Sequence, residues 1–455
     1  MMVPAPRLLK TVALAGLPLS LLAAAAPGWT IFCLLAGLAV IAIVITDALR
    51  ASQSWQGLEL CGPPMTRLAK DRPGKLEIKL RHSDATERRV RLALPWPEEL
   101  TAHPEELSLM LPPGQAWCLG EWTLCPHRRG RYLIHTAGVE TDSPWGFWRV
   151  RRQQPLRLEI RVYPNLARER TPLASLFLRR GMVGVHAVRQ VGKGREFELL
   201  REYLPGDSYE DVHWKATARR ARPITKVYQI EKTQEIYVLL DASRLSGRPA
   251  ARTLQMGAAA DTPTAHIETA FERYLTAALV LGLAAEQQGD HFGLLSFSDK
   301  IERFVRARNG RHHYQTCRDA LYTLMPQEVA PDFDEVATFL RLRLRRRALL
   351  IFLTSLEDPL MAESFSRNLE MLCRQHLILV AMLRPPLALP IFSSAEAQNV
   401  DDLYLHLAGH LQWWKLQELE RSLARRGVRL TLLDQEELSA GLVSQYLTIK
   451  RRQLL

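Results

Sequence analysis

Glu235-Ile236-Tyr237-Val238-Leu239-Leu240-Asp241-Ala242-Ser243 is the stretch on which the reading of the fold turns. Residues 236–240 form a short, continuous apolar run without alternation, the pattern of a parallel strand covered on both faces. The run stops at two short polar side chains, Asp241 and Ser243. Downstream, apolar runs and helical periodicities take turns. His266–Gln288 predicts a long helix, Phe292–Phe297 a strand and Ile301–Val305 a second strand after the turn Ser298-Asp299-Lys300. Gln315–Leu324 predicts a helix, Ala348–Leu353 a buried strand, Met361–Arg374 a helix, Leu377–Met382 a strand, Asp401–Arg426 a helix and Val428–Leu433 a strand. Strand–helix repetition of this kind implies a doubly wound sheet with helices on both faces. Ligands of such sheets sit beyond the carboxyl ends of the strands. Two of those ends are polar: Asp241–Ser246, and Thr354-Ser355-Leu356-Glu357-Asp358.

Upstream the pattern changes. Lys75–Leu80 and Arg89–Leu94 alternate polar and apolar residues as half-buried strands do, and Arg131–Ile134 and Leu156–Tyr163 continue the series. Pro, Gly and Asp clusters separate them, which predicts a β-sandwich-like middle module. The first fifty residues differ again. Leu8–Ala26 and Trp29–Ile45 are apolar, each near the ~20 residues a helix needs to cross a bilayer, and Pro27-Gly28 between them reads as a turn. Arg7 and Lys10 precede the pair, and Asp47 and Arg50 follow it. A transmembrane hairpin with both ends in the cytoplasm satisfies the positive-inside rule. The competing reading is a cleaved signal peptide ending near Ala23–Ala26, which leaves the second apolar stretch without a role. The segments expected are thus 1–50 (hairpin), 51–170 (sandwich), 171–234 (linker) and 235–455 (α/β domain).

A net charge of +12 implies an acidic partner, and at a membrane anionic lipid is the least demanding one; no nucleic-acid partner is expected. The six cysteines are scattered without a C-x-x-C pair, which argues against a zinc site or a disulfide framework. Gly184–Gly194 lacks the G-x-x-x-x-G-K-S/T spacing of a phosphate loop. Neither H-E-x-x-H nor G-x-S-x-G occurs. Arg341, Arg343 and Arg345–Arg347 read as a solvated helix end, Lys450–Arg452 as a basic tail, His312-His313 as loop residues, and Trp413-Trp414 as one core and one partly exposed ring.

Asp241-Ala242-Ser243 at the end of a buried strand resembles the metal-ion-dependent adhesion site of von Willebrand factor A domains, in which Asp-x-Ser-x-Ser and later loop oxygens surround one cation. Arg201-Glu202-Tyr203-Leu204-Pro205-Gly206-Asp207-Ser208-Tyr209-Glu210-Asp211-Val212-His213-Trp214-Lys215, running on to Arg220, resembles the signature of a bacterial family known as domain of unknown function 58. Arg128-Arg129-Gly130-Arg131-Tyr132 and Ser143-Pro144-Trp145-Gly146-Phe147 resemble its sandwich region. The genes of that family often lie beside MoxR-type AAA+ ATPases.

The resemblance implies a membrane hairpin, a β-rich region and a von Willebrand factor A-like domain. It also implies an assembly or maturation role with an ATPase partner, at the inner membrane. Asp241, Ser243 and Asp358 would be the metal ligands, with Mg2+ as the cation; the third oxygen of the adhesion motif falls here on Leu245, which offers none. Arg201, Glu202, Tyr203, Gly206, Asp207, Asp211, His213, Trp214 and Lys215 would either clamp the modules together or dock a partner. The leading expectation is a non-catalytic interaction protein. The alternatives are a cation-dependent adhesion-like binder outside the cytoplasm and an envelope-acting hydrolase.

Overall fold

The computed structural model describes residues 1–53, 58–81, 88–113, 117–167, 169, 191–205, 208–229, 234–250, 268–385, 388–391, 393 and 399–452; at 27, 52, 53, 88, 191–199 and 227–229 only the backbone is described. The chain divides into two compact units, Met1–Asn165 and Leu166–Leu455. Gly206, Asp207, the start of the helix expected from His266, and residues 184–190 of the glycine-spotted stretch lie outside the described residues.

The first unit starts with strand β1 (Met2–Pro4) and helices α1 (Pro6–Ala25) and α2 (Thr30–Gln53), joined by a 3-10 turn at Pro27–Trp29. Both helices are long and apolar enough to cross a membrane. Leu14, Leu17, Leu21, Ile31, Leu34 and Leu38 are all exposed, a surface water would not tolerate.

Nine further strands follow among the described residues: β2 (Glu59–Cys61), β3 (Met65–Ala69), β4 (Gly74–Arg81), β5 (Arg88–Ala93), β6 (Leu100–His103), β7 (Glu106–Leu111), β8 (Cys118–Pro126), β9 (Gly130–Asp142) and β10 (Trp148–Tyr163). One sheet runs β1-β10-β9-β5-β7 with β3 parallel to β10, and the other runs β2-β4-β8-β6. The period-two alternation of β4 sends Leu76, Ile78 and Leu80 inward, where they meet Trp122 and Leu124 of one sheet and Val90, Leu92 and Ile160 of the other. The two sheets therefore share one core, as a sandwich does.

The hairpin is bolted to this sandwich at its base. Met2–Pro4 pairs antiparallel with Trp148–Val150, and Ala51, in the last turn of α2, lies in the sandwich core. Asp47 is fully buried. Its carboxylate accepts hydrogen bonds from Ser143 Oγ (2.5 Å), Trp145 N (3.1 Å) and Phe147 N (3.3 Å). The Trp148 indole N–H donates to the carbonyl of Val44 (3.0 Å). The Ser143–Phe147 turn is thus the receptor for the end of the second apolar helix.

The second unit opens with a ribbon of β11 (Val191–Glu202) and β12 (Ile224–Gln229), bridged by helix α3 (Trp214–Arg220). Strands β13 (Glu235–Asp241), β14 (His291–Phe297), β15 (Ile301–Arg308), β16 (Leu349–Leu353), β17 (Leu377–Leu383) and β18 (Arg429–Leu433) then form one sheet, ordered β15-β14-β13-β16-β17-β18. Only the edge pairing β14–β15 is antiparallel in it. Ile236, Val238 and Leu240 face helices α4 (Ala270–Gln287), α5 (Arg311–Leu321) and α9 (Leu438–Arg451). Tyr237 and Leu239 face α6 (Phe333–Arg343), α7 (Pro359–Cys373) and α8 (Val400–Arg425). The sheet is doubly wound, as its continuous apolar strands required.

The periodicity did not signal α6 or α9. Residues Lys450–Arg452 are accordingly not a tail. Lys450 closes α9, and its ammonium donates to Asp290 (2.7 Å) and to the carbonyl of Gln288 (2.9 Å). Tyr446 OH donates to the same Asp290 carboxylate. The helix α5 starts one turn before Gln315 and carries His312 and His313, so these are not loop residues; the His313 ring meets the carbonyl of Phe292 at 2.7 Å. All six thiols are free.

His376, which precedes β17, is buried with neither ring nitrogen hydrogen-bonded. Burial holds its imidazole below the ordinary 6.5, because a sealed site disfavours the cation. The unfolded chain therefore takes up this proton first as pH falls. Stability from this group is complete above the ordinary value and is lost as pH drops through it towards the lower folded value. In His376→Leu, the decline of the thermal midpoint between neutral and mildly acidic pH is expected to be shallower than in the parent; an identical slope would show that His376 does not contribute.

Candidate functional site

The carboxyl ends of β13 and β16 adjoin where the winding of the sheet reverses, since β14 lies on one side of β13 and β16 on the other. The register aligns Leu240 with Leu353, so Asp241 and Thr354 emerge side by side. Asp241 is fully buried. Its Oδ2 accepts from Thr354 Oγ1 (2.5 Å) and its Oδ1 from the backbone N–H of Ser243 (2.9 Å). Burial pushes the carboxyl above its ordinary range, against the opposing hydrogen bonds from Thr354 and Ser243. Beneath it, the buried Tyr274 hydroxyl donates to the carbonyl of Thr354 and accepts from Leu383 N, both at 3.3 Å, and its own pKa is raised by the same burial. Ser243 Oγ is buried without a hydrogen-bond partner. Ser246 Oγ turns back to the carbonyl of Ser243 (2.7 Å).

Sequence reasoning paired Asp241 and Ser243 with Asp358. The structure brings Thr354 to Asp241 and gives Asp358 another task, capping α7 by accepting from Leu360 N (2.9 Å). The signal for Thr354 was present: it directly follows the strand that neighbours β13. As a cation site the cluster offers one carboxylate with both oxygens engaged and two hydroxyls, all sealed from water. Mg2+ takes six oxygens and keeps several waters. The residues as arranged do not fit it, and among the described residues no group of three or more His, Cys, Asp or Glu side chains is placed to hold a metal.

Above this sealed cluster lies an open groove of about 430 Å3. Its rim is charged with both signs: Arg244, Arg248 and Lys415 against Glu357 and Asp358, with Leu245, Leu411 and Gln412 between them. Arg248 pairs with Glu357 at 3.2 Å, and Gln412 Nε2 donates to the same carboxylate at 3.3 Å.

The signature residues form a separate small motif on the ribbon. His213 caps α3, its Nδ1 accepting from Ala216 N (3.1 Å), and its backbone N–H donates to the carbonyl of Ile224 (2.7 Å). The ring nitrogen is engaged by a backbone N–H, which gives His213 a structural task. The N–H of Ile224 in turn reaches Thr217 Oγ1 at 3.0 Å. Tyr203 stacks on Tyr209 with centroids 5.8 Å apart. Glu202 pairs with Arg222 at 3.1 Å across the ribbon, while Arg201 Nη1 reaches the carbonyl of Glu202. Asp211 closes the short 3-10 turn before His213 and is half-buried. Leu204, Tyr209, Trp214 and Lys215 are exposed. Local hydrogen bonding thus accounts for the polar core of the signature and leaves Tyr209 and Trp214 exposed.

A family model described as "Protein of unknown function DUF58" matches residues 199–391. Two curated relatives, the uncharacterized proteins Rv1480 of Mycobacterium tuberculosis (strain ATCC 25618 / H37Rv) and Mb1516 of Mycobacterium bovis, are each 24% identical over 216 residues. That alignment covers 47% of this chain and 61% of each relative, so the chain spans less than two thirds of the relatives' length. Among solved structures, the conserved hypothetical protein BatB from Bacteroides thetaiotaomicron is similar over 48% of this chain and 99% of its own, with 11% identity and a TM-score of 0.29. Proximal thread matrix protein 1 from the mussel byssus covers 48% of this chain and 45% of its own, with 11% identity and a TM-score of 0.25.

Two outcomes follow from the sealed cluster. Asp241→Asn keeps the shape in neutral form and is expected to cost about 1 kcal/mol, whereas Asp241→Ala strands Thr354 Oγ1 and Ser243 N and costs about 2–4 kcal/mol. Thermal unfolding of the two purified variants measures the difference; equal midpoints would contradict the assigned hydrogen bonds. Millimolar Mg2+ or Mn2+ is expected to leave the midpoint of the parent protein where EDTA leaves it. A rise of several degrees would reveal an ion bound to the folded state.

Proposed function

We propose that this chain is a membrane-anchored, non-catalytic interaction protein whose von Willebrand factor A-like domain binds a protein partner across the carboxyl end of its sheet. The observation that carries the reading is the groove over β13 and β16. It is open, and charged side chains of both signs line its rim. Small-molecule sites enclose most of their ligand's surface, whereas this groove is open. A mixed-charge rim on an open surface suits an interface, where charge pattern sets partner and register.

The anchor is supported by the joint between hairpin and sandwich. Met2–Pro4 is a strand of the sandwich and Ala51 a member of its core, so both outer ends of the hairpin meet the same module. Cleavage of a signal peptide near Ala26 would remove that strand, which favours a retained hairpin. Arg7, Lys10 and Arg50 stand at these ends, and the positive-inside rule then assigns them, with the domains that follow, to the cytoplasmic side of the inner membrane. The resemblance of the Arg201–Arg220 signature to a family encoded beside MoxR-type AAA+ ATPases makes such an ATPase the partner of choice, and assembly or maturation of other proteins the role.

The test is recovery of the tagged full-length protein from its native membrane in mild detergent, with and without Mg2+ and ATP, read by mass spectrometry. An AAA+ ATPase at near-stoichiometric level is expected with the parent, and its loss with Arg244→Glu combined with Arg248→Glu. Both side chains are exposed, so the double variant is expected to fold as the parent does. Absence of an ATPase from the parent in every nucleotide state would overturn the partnership, and undiminished recovery with the double variant would overturn the groove as its site.

A further inference from the structure

Helix α8 carries an apolar stripe that none of the described residues of its own unit covers. Val400, Leu403, Tyr404, Leu407, Leu411 and Trp414 are 68, 54, 66, 44, 53 and 53% exposed. At ~100° per residue these six positions fall within roughly 100° of helix surface. The buried residues of the same helix, Gly409, Leu416 and Leu423, project from the opposite side. The stripe is therefore not a core face left slightly open. It points away from the core that α8 already serves, and its spacing of three and four residues is that of a helix–helix seam.

Charge decides what covers it. Asp401 and Lys415, both exposed, lie on the same flank of the stripe, equidistant from Ala408. In an antiparallel helix pair, equivalent flanks of the two helices face each other. A second α8 laid antiparallel across the first, with its centre near Leu407 and Ala408, brings each Asp401 to Lys415 of the other copy. In the same register Val400 meets Trp414, Leu403 meets Leu411, and Leu407 meets its own equivalent. In a parallel pair equivalent flanks lie on opposite sides of the seam, so Asp401 and Lys415 do not meet across it. The stripe is thus complementary to itself under a two-fold axis, the property of an isologous interface. The antiparallel arrangement also opposes the two helix dipoles favourably. A membrane surface is a poorer occupant, because Asp401 and the neighbouring Asp402 put negative charge at one end of the stripe.

We infer that α8 pairs antiparallel with α8 of a second copy of this chain, making the protein a two-fold dimer. The inference does not depend on the identity of the partner at the groove.

Disulfide trapping in intact membranes tests it on the full chain. With the two-fold axis at Leu407, Leu407→Cys is expected to give a covalent dimer under mild oxidation, above the level the native cysteines give in the parent. Val400→Cys alone is expected to give none, and Val400→Cys combined with Trp414→Cys to restore it. Charge reversal supplies a readout that misfolding would not reproduce. Asp401→Lys and Lys415→Asp are each expected to weaken dimerisation about fivefold, with two affected contacts per dimer. The two reversals combined in one chain are expected to return it to the parent level. Trapping through Leu407→Cys no greater than in the parent would overturn the pairing. Failure of the combined reversal to restore what the single ones lose would overturn the antiparallel register.

Discussion

The strand β13 is buried on both faces, and the rest of the second unit is arranged around that fact. A strand so enclosed has no water at its sides, and Asp241 at its end is sealed as completely as Leu240 before it. A carboxyl group there is stable only if its oxygens are hydrogen-bonded. Thr354 and the Ser243 N–H supply those bonds, and Tyr274 fixes the carbonyl of Thr354 and the start of the next loop. The polar residues nearest the centre of the sheet are therefore consumed in holding two loops. Whatever this end of the sheet recognises must meet the rim instead: Arg244, Arg248, Glu357, Asp358 and Lys415. The same logic applies at the opposite end, where Asp290 is buried and is shared by Tyr446 and Lys450, tying the last helix to the turn before β14.

In the first unit the corresponding constraint is the exit of an apolar helix into a β module. An apolar helix that ends in a β module must hand its last turns to something that satisfies both apolar and polar groups. Here Ala51 joins the sandwich core while Asp47 is received by Ser143 Oγ and two backbone N–H groups of the following turn. Gly146 in that turn has φ of +76°, a conformation glycine adopts without strain, and a Cβ there would stand 3.0 Å from an Arg7 guanidinium nitrogen. One short motif thus contacts the beginning of α1 and the end of α2, so the hairpin and the sandwich are one mechanical piece.

Much of this architecture was legible in the sequence because burial leaves period and length as its trace. The six strands of the doubly wound sheet were each placed from the sequence, most of them from an apolar run, and the expected positions agree with the observed ones to within a few residues. The helices α6 and α9 were harder. Leucines in α9 are spaced as a helix requires, but its basic end, Lys450–Arg452, looks like a solvated tail until the buried partner Asp290, 160 positions away in sequence, is known. The site shows the same division. Asp241 and Ser243 could be singled out because they end a strand, whereas the role of Thr354 depends on which strand lies beside β13 and in what register. Asp358 had the right chemistry for a ligand and also the right position, before Pro359, for a helix cap; local geometry decided for the cap. His213, read from the signature as a docking or clamping residue, is likewise spent on capping.

Helix α8 joins these threads. Its inner side packs on the sheet through Leu416 and Leu423, one flank walls the groove with Leu411, Gln412 and Lys415, and its outer face carries the stripe. Leu411 and Lys415 belong to both the groove and the proposed pairing surface. A second copy docked on the stripe would fix the rotamers of these two side chains, and an occupant of the groove would do the same from the other side. Two binding events that order the same side chains are linked: each changes the affinity of the other by an equal factor. The sign follows from Lys415. A partner that needs this ammonium competes with Asp401 of the second copy, while one held by Arg244 and Arg248 finds the groove wall already ordered.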